Sequence, residues 1–182
     1  MAADERTIDL AALKLSAGEA RRLDVEVPLD DLEFGDEQYV IAPSPVPVAI
    51  AVTRMLGGGW SLKAEFTAAV TGPCMRCLTD AAPSFTVSAR EVDMPEQDPP
   101  APELDSPYVD QDRLDLAAGA RGALVLGLPA QILCREDCRG LCPVCGADLN
   151  DDLTHAHERA PDSRWAKLSE IRGLLAATAT PG

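Results

Sequence analysis

Trp60-Ser61-Leu62-Lys63-Ala64-Glu65-Phe66-Thr67-Ala68-Ala69-Val70 is the stretch whose reading decides the fold of this chain. Trp60, Leu62, Ala64, Phe66, Ala68 and Val70 face one side of an extended strand, while Ser61, Lys63, Glu65 and Thr67 face the other. That period of two belongs to a strand buried on one face only. Upstream, Val46, Val48, Ile50 and Val52 alternate in the same way, and Gly57-Gly58-Gly59 between the two runs reads as a turn. Together they predict a β-hairpin. Pro47 offers no backbone N–H, which suggests an edge position for the first arm.

Working outward, Leu23, Val25 and Val27 alternate with Asp24 and Glu26 until Pro28 ends the run, giving a first strand. Residues 28–45 are acidic and contain proline. On the other side, Gly72-Pro73 marks the exit of the decisive strand, and Phe85, Val87 and Ala89 give a further one. Cys74 and Cys77 then lie in a loop at the rim of an antiparallel meander. Residues 1–92 are therefore expected to form a β-rich body that carries the first cysteine pair.

From Asp93 to Asp112 the chain holds seven acidic residues, five prolines and no Lys or Arg. Such a composition buries too little apolar surface to offset ordering, so 93–112 reads as an extended acidic linker. Residues 113–182 form the remaining unit. Its first helix is expected over about Arg113 to Leu128, with Leu116, Ala120, Ala123 and Leu124 on one face and Pro129 as the stop. Gly119, Gly122 and Gly127 each weaken it by roughly 1 kcal/mol relative to Ala. A cysteine cluster follows. A last helix begins near Pro161-Asp162, with Trp165, Leu168, Ile171 and Leu175 at helical spacing as a core-facing stripe. The fold class expected is α+β, an antiparallel β-meander or barrel-like body with a C-terminal helix, a zinc-knuckle cluster and a terminal helix.

Composition narrows the function. A chain of 182 residues buries one core plus a small satellite, and with aromatics at 4% that core rests on Val, Leu and Ala. The longest apolar run, Leu114 to Leu128, carries Arg121 and falls short of the roughly 18 residues of a membrane span. Met1-Ala-Ala-Asp-Glu lacks the basic and apolar parts of an export signal, so a cytoplasmic location is expected, where thiols stay reduced. Six cysteines there point to metal in preference to disulfides. Sixteen Lys+Arg against 30 Asp+Glu give a net charge of −14, the wrong sign for gripping bare phosphate over a wide face. A basic protein or a protein-coated RNA is the expected partner.

The cysteines read Cys74-x2-Cys77 and then Cys134-x3-Cys138-x3-Cys142-x2-Cys145. Two intervening residues let both sulfurs of a pair turn toward one tetrahedral ion while turn N–H groups stabilise the thiolates. Gly146, directly after Cys145, permits the positive φ such a turn often uses. His155 and His157, the only histidines, follow close behind, and imidazole with thiolate suits Zn²⁺. Eight donors suffice for two closed shells. One partition puts Cys142, Cys145, His155 and His157 in a local site and Cys74, Cys77, Cys134 and Cys138 in a second. Another shares one site among Cys74, Cys77, Cys142 and Cys145. Closed shells leave no place for a reacting water, and no Gly-x-Ser-x-Gly, phosphate-binding or His-Glu-x-x-His motif is present, so no catalytic residues and no enzyme activity are expected.

The order Gly72-Pro-Cys-Met-Arg-Cys-Leu78, an acidic proline-rich stretch, Leu124-Val-Leu-Gly-Leu-Pro129, the cluster from Leu133 to Asn150 and Asp162-Ser-Arg-Trp-Ala-Lys-Leu168 resembles the YceD family of large ribosomal RNA subunit accumulation proteins, in a form that looks actinobacterial. Many members carry a Cys or His pair after the Asn, which His155 and His157 match. The resemblance implies a noncatalytic role in ribosome biogenesis, supporting accumulation or assembly of large-subunit ribosomal RNA. Zinc, as one or two ions, would hold the tail unit in shape, and the partner would be a basic ribosomal protein or a pre-ribosomal particle. Direct RNA contact would be weak and fall to Arg76, Arg135, Arg139, Arg164, Lys167 and Arg172. The alternative is a thiol-based or zinc-releasing redox switch, with Cys74 and Cys77 beside Arg76 as its reactive pair.

Overall fold

The computed structural model describes residues 6–94 and 104–157. They divide into two compact units, Met1–Gly140 and Leu141–Gly182. The expected terminal helix, with Trp165, Leu168, Ile171 and Leu175 and the cations Arg164, Lys167 and Arg172, lies outside the described residues.

Among its described residues, the first unit is mostly antiparallel β-sheet with one α-helix and a single 3-10 turn at Ala11–Leu13. Its strands are β1 (Thr7–Asp9), β2 (Ala20–Val27), β3 (Leu32–Phe34), β4 (Glu37–Ala42), β5 (Val46–Arg54), β6 (Trp60–Pro73), β7 (Asp80–Ala81), β8 (Ser84–Asp93), β9 (Val109–Asp110) and β10 (Arg113–Asp115), followed by α1 (Leu116–Gly127). The spine is β6. One edge of it pairs with β5 over Trp60 to Phe66 and with β4 over Ala69 to Thr71, while the other pairs with β8 and then β7. Beyond these, β2 pairs with β5 and β3 with β4.

The register explains the core. Val25, Val48, Phe66 and Val87 stand directly opposite one another across four strands, and Leu23, Ile50, Ala64 and Ala89 form the adjacent row. Aligned apolar pairs on one face are what stabilises such a sheet. Val48, Ile50, Val52, Trp60, Leu62, Phe66, Ala68, Val70 and Val87 are all buried. The opposite face carries Asp24, Ala49, Glu65 and Ser88 in the line between these rows and Arg22, Ala51, Lys63 and Arg90 in the line beyond the second. The alternation read from Trp60 to Val70 thus separates core from solvent.

Two expectations are corrected. The sheet forms no closed barrel among the described residues, because β2 and β8 each keep one unpaired edge. Pro47, moreover, does not mark an edge strand, since β5 has β2 on one side and β6 on the other. The proline is tolerated because it faces Glu26 of β2, and pairing with β6 begins one residue later at Val48.

Beyond β8, part of the acidic stretch is tied to the sheet. Trp60 donates its indole N–H to Asp112 at 2.6 Å, Arg54 lies 3.6 Å from the same carboxylate, and the Arg54 guanidinium sits 4.5 Å above the Trp60 ring. The Asp112 carbonyl also accepts the N–H of Leu10. This anchor turns the chain into β9 and β10, which pair with each other and with β1. Asp115 then caps α1 by accepting the N–H of Ala118 at 2.9 Å, so the helix starts three residues later than the apolar spacing suggests. Its buried side is Leu116, Ala120 and Leu124. Gly122 has its use here: a Cβ would run into the Tyr108 hydroxyl. Among the described residues, no helix is long and apolar enough to cross a membrane.

Candidate metal centre

The chain that leaves β6 at Pro73 reverses at once and returns as β7. The Cys74 N–H donates to the Thr79 carbonyl at 2.7 Å, and the Leu78 N–H donates back to the Cys74 carbonyl at 3.0 Å. In the second unit the same two bonds recur: Cys142 donates to Ala147 at 2.8 Å, and Gly146 donates to Cys142 at 2.8 Å. Each first cysteine also receives backbone N–H groups on its sulfur from the residues two and three positions on, Arg76 and Cys77 in one turn, Val144 and Cys145 in the other. The two C-x2-C segments are thus the same knuckle built twice. The residue after the second cysteine is left-handed in both, Gly146 at φ +74° and Leu78 at φ +63°. Glycine reveals that conformation in sequence. Leucine does not, so the first knuckle was the less legible of the two.

Four sulfurs gather at the first knuckle. Cys134 and Cys138 arrive from the segment after α1, where the Cys138 N–H bonds to the Arg135 carbonyl. The segment is fastened to the knuckle by the Met75 N–H on the Ile132 carbonyl, by Arg76 Nη1 on the Cys138 carbonyl at 3.0 Å and by Arg76 Nε on Gln131 Oε1 at 2.9 Å. Gly140, at φ +73°, lets the chain pass close to the Arg76 carbonyl, since a Cβ there would come within 2.9 Å. Tyr39 donates its hydroxyl to the Pro73 carbonyl and fills the space above Gly72, which seats the knuckle on the sheet. Thr79, unmarked in the sequence, lies with its hydroxyl 3.0 Å from Cys77 Sγ.

The geometry suits a tetrahedral ion. Cys74 Sγ and Cys138 Sγ are 3.8 Å apart, and Cys77 Sγ and Cys134 Sγ are 3.6 Å apart. For a metal–sulfur bond of about 2.3 Å, the edge of a tetrahedron is about 3.8 Å. All six cysteines are free thiols. In the second unit, Cys145 Sγ lies 3.4 Å from His155 Nε2 and 3.3 Å from His157 Nε2, and the two Nε2 atoms are 3.0 Å apart. Local turns aim these rings: Asp152 accepts the Thr154 N–H and hydroxyl, and its carbonyl takes the His155 N–H. In each group, Cys74, Cys77, Cys134, Cys138 and Cys142, Cys145, His155, His157, the donor atoms lie within 4.8 Å of one another. Of the two partitions open to the sequence, the structure has the one with a local Cys2His2 group.

The thiols show what the clusters need. Burial opposes ionisation of Cys74, but N–H groups of Cys77 and Arg76 outweigh it and bring the thiol down to about 6. Loss of solvation and the sulfurs around it push Cys134 up to about 12. Cys142 is lowered to about 6 by the N–H groups of Val144 and Cys145. Four sulfurs this close cannot all ionise unless a cation sits among them. Soft thiolates and imidazoles in tetrahedral array select a zinc-like ion over hard cations. Either group is able to hold a metal.

None of these donors lines the apolar groove of about 430 Å³ between α1 and the sheet, which is bordered by Ile50, Leu62, Val87, Tyr108 and Ala120. Among the basic residues expected to touch RNA, Arg76 is engaged as described, and Arg135 is 3.2 Å from Asp137.

Residues 62–172 match the family model described as large ribosomal RNA subunit accumulation protein YceD. An uncharacterized protein of Mycobacterium tuberculosis and one of Mycobacterium bovis are each 37% identical to this chain over 109 residues, 58% of this chain and 52% of theirs. An uncharacterized protein of Mycobacterium leprae is 38% identical over 64 residues, 35% of this chain and 29% of its own. The chain thus matches about half the length of the first of these relatives. No solved structure matches it.

Proposed function

The chain belongs to the YceD family of large ribosomal RNA subunit accumulation proteins, and from that membership we propose that it is a noncatalytic zinc-binding factor in ribosome biogenesis. It supports accumulation or assembly of large-subunit ribosomal RNA, in the cytoplasm, through a basic ribosomal protein or a pre-ribosomal particle. The observation that carries the metal half of this reading is the pair of four-donor groups, each within 4.8 Å and each built on the same knuckle. Four protein donors per ion leave no coordination position for a reacting water, which supports a structural role over a hydrolytic one. The net charge of −14 supports a basic partner, because complementary charge steers association and like charge opposes contact with bare RNA.

The test combines two measurements. Protein purified in reductant without added metal carries one to two equivalents of zinc by elemental analysis, and less than half an equivalent of any metal refutes the zinc reading. Deleting the gene lowers large-subunit ribosomal RNA relative to small-subunit RNA. The intact gene restores it, and no change on deletion refutes the biogenesis reading.

A second reading, a thiol or zinc-releasing redox switch, draws on the 3.6 Å approach of Cys77 and Cys134, which a modest movement would close to a disulfide. Coordinated thiolates react slowly with dilute peroxide. Rapid, reversible disulfide formation with a matching change in partner binding favours the switch, and slow irreversible oxidation favours the structural role.

A further inference from the structure

The two groups of donors have different surroundings. In the first, Cys74, Cys77 and Cys138 are buried and only Cys134 is exposed. Its sulfurs come from segments 57 and 64 residues apart, joined through Ile132, which is 1% exposed, and through the Arg76 hydrogen bonds. Separating Cys74 from Cys138 therefore means pulling the segment after α1 off the end of the sheet. In the second group, all four donors fall between Cys142 and His157. Cys142 is buried, His155 is half-buried, and Cys145 and His157 are exposed. The apolar side chains between them seal little of it: Val144 and Leu153 are both 69% exposed, and Leu149 is half-buried. The hydrogen bonds that position this group are short-range turns, such as Asp148 to Asn150 and Asp152 to Thr154.

Resting on the metal reading above, we infer that the two shells are unequal: Cys74, Cys77, Cys134 and Cys138 hold a permanent ion, while Cys142, Cys145, His155 and His157 form an exchangeable site that loads and unloads according to free zinc. The physical reason is the cost of opening. An ion held between two long-range segments leaves only when buried structure separates, so the folding energy of the first unit adds to its retention. An ion held by sixteen consecutive residues in short-range turns leaves by local fluctuation, which draws on the low end of the range of opening free energies. The charges differ as well. Four thiolates around a dication leave −2, while two thiolates and two neutral imidazoles leave none, so the Coulomb attraction that retains the ion is weaker in the second shell.

The test uses the full-length reduced protein loaded with two equivalents of zinc and challenged with excess chromophoric chelator at fixed pH. Release is expected in two phases of one equivalent each, the fast one at least about tenfold faster, with the circular dichroism of the sheet unchanged until the slow phase. Cys142→Ser with Cys145→Ser removes the fast phase alone. Because Cys74→Ser with Cys77→Ser risks misfolding, cadmium NMR of the unmodified protein provides the second readout. The resonance of a four-sulfur shell persists after one equivalent is removed, and that of a two-sulfur, two-nitrogen shell disappears. A single release phase, or loss of the four-sulfur resonance first, overturns the inference. Failure to take up metal at all is seen at the loading step and overturns the zinc reading itself.

Discussion

The sulfur of Cys74 lies 3.8 Å from that of Cys138 although 64 residues of sequence separate them. A metal at this position crosslinks the sheet to the segment after α1, so its contribution includes the entropy of closing that loop. By the chain-entropy estimate, a crosslink over such a loop is worth about 4 kcal/mol. Chelation of the four-cysteine site, or Cys138→Ser, is therefore expected to lower the unfolding free energy of the sheet by about that amount. Thermal unfolding followed by circular dichroism, with and without chelator, checks it. An unchanged melting temperature after verified loss of both ions would show that the sheet stands without the crosslink.

Leu78 occupies the left-handed position that Gly146 occupies in the twin knuckle. Its side chain is 67% exposed and gains little from burial, while a left-handed non-glycine residue costs roughly 1–2 kcal/mol. Leu78→Gly is expected to stabilise the first unit by about 0.5–1 kcal/mol after the entropy glycine adds to the unfolded chain. Gly146→Ala is expected to weaken metal retention at the second knuckle even though open space surrounds the new Cβ. Urea unfolding and competitive chelation read the two effects separately, and a neutral result for both would mean that the turns relax to other conformations.

Asp93 ends β8 almost wholly buried, and burial pushes its carboxyl above the ordinary carboxylate range. The Ser106 N–H pulls it back in part, while Asp105 and Asp112 add to the rise. In the window between the unfolded and the raised folded value, the folded state binds more protons than the unfolded one, so stability falls as pH rises through that window. Asp93→Asn keeps an oxygen for the Ser106 N–H and removes the buried charge. The variant is expected to be more stable than the parent at pH 7, with the difference vanishing toward pH 3. Denaturant titrations across that range provide the comparison, and a loss of stability at neutral pH would show that the charged form is the one the site prefers.

Association with the partner is expected to depend on the acids between Asp93 and Asp112. Asp93 and Asp112 are committed to Ser106 and Trp60, whereas Asp105 and Asp110 are exposed. Changing Glu96, Asp98, Glu103, Asp105 and Asp110 to Gln or Asn should slow binding to a basic ribosomal protein several-fold with zinc content unchanged. Added salt should slow the parent toward the same rate, as screening shortens to about 8 Å at physiological strength. Stopped-flow or surface-binding kinetics at two ionic strengths decide it. Tight binding of naked ribosomal RNA at physiological salt, with no affinity for ribosomal proteins, would reverse the choice of partner.

Local periodicity and local turn chemistry were legible without coordinates. The inward residues Trp60, Leu62, Phe66, Ala68 and Val70, the Gly57 to Gly59 turn and the helix face of Leu116, Ala120 and Leu124 all follow from spacing that a few neighbouring residues impose. The knuckle at Cys142 to Gly146 is also local, because the backbone must go left-handed there and glycine marks it. What the sequence left open depends on contacts between distant segments. The partition of the eight donors turns on Cys134 and Cys138 reaching Cys74 and Cys77, and nothing in either segment alone states that distance. The start of α1 is set by β10 pairing with β1 and by the Asp115 cap, which hold three residues that helical spacing had claimed. The anchoring of Asp112 to Trp60 and Arg54 likewise overrides an acidic, proline-rich composition with one hydrogen bond and one ion pair supplied from the hairpin. Side-chain pattern along a chain reports which face is buried, because burial repeats with the backbone period. Which segments meet is decided by strand register and loop closure, whose energies arise only when the whole sheet has formed.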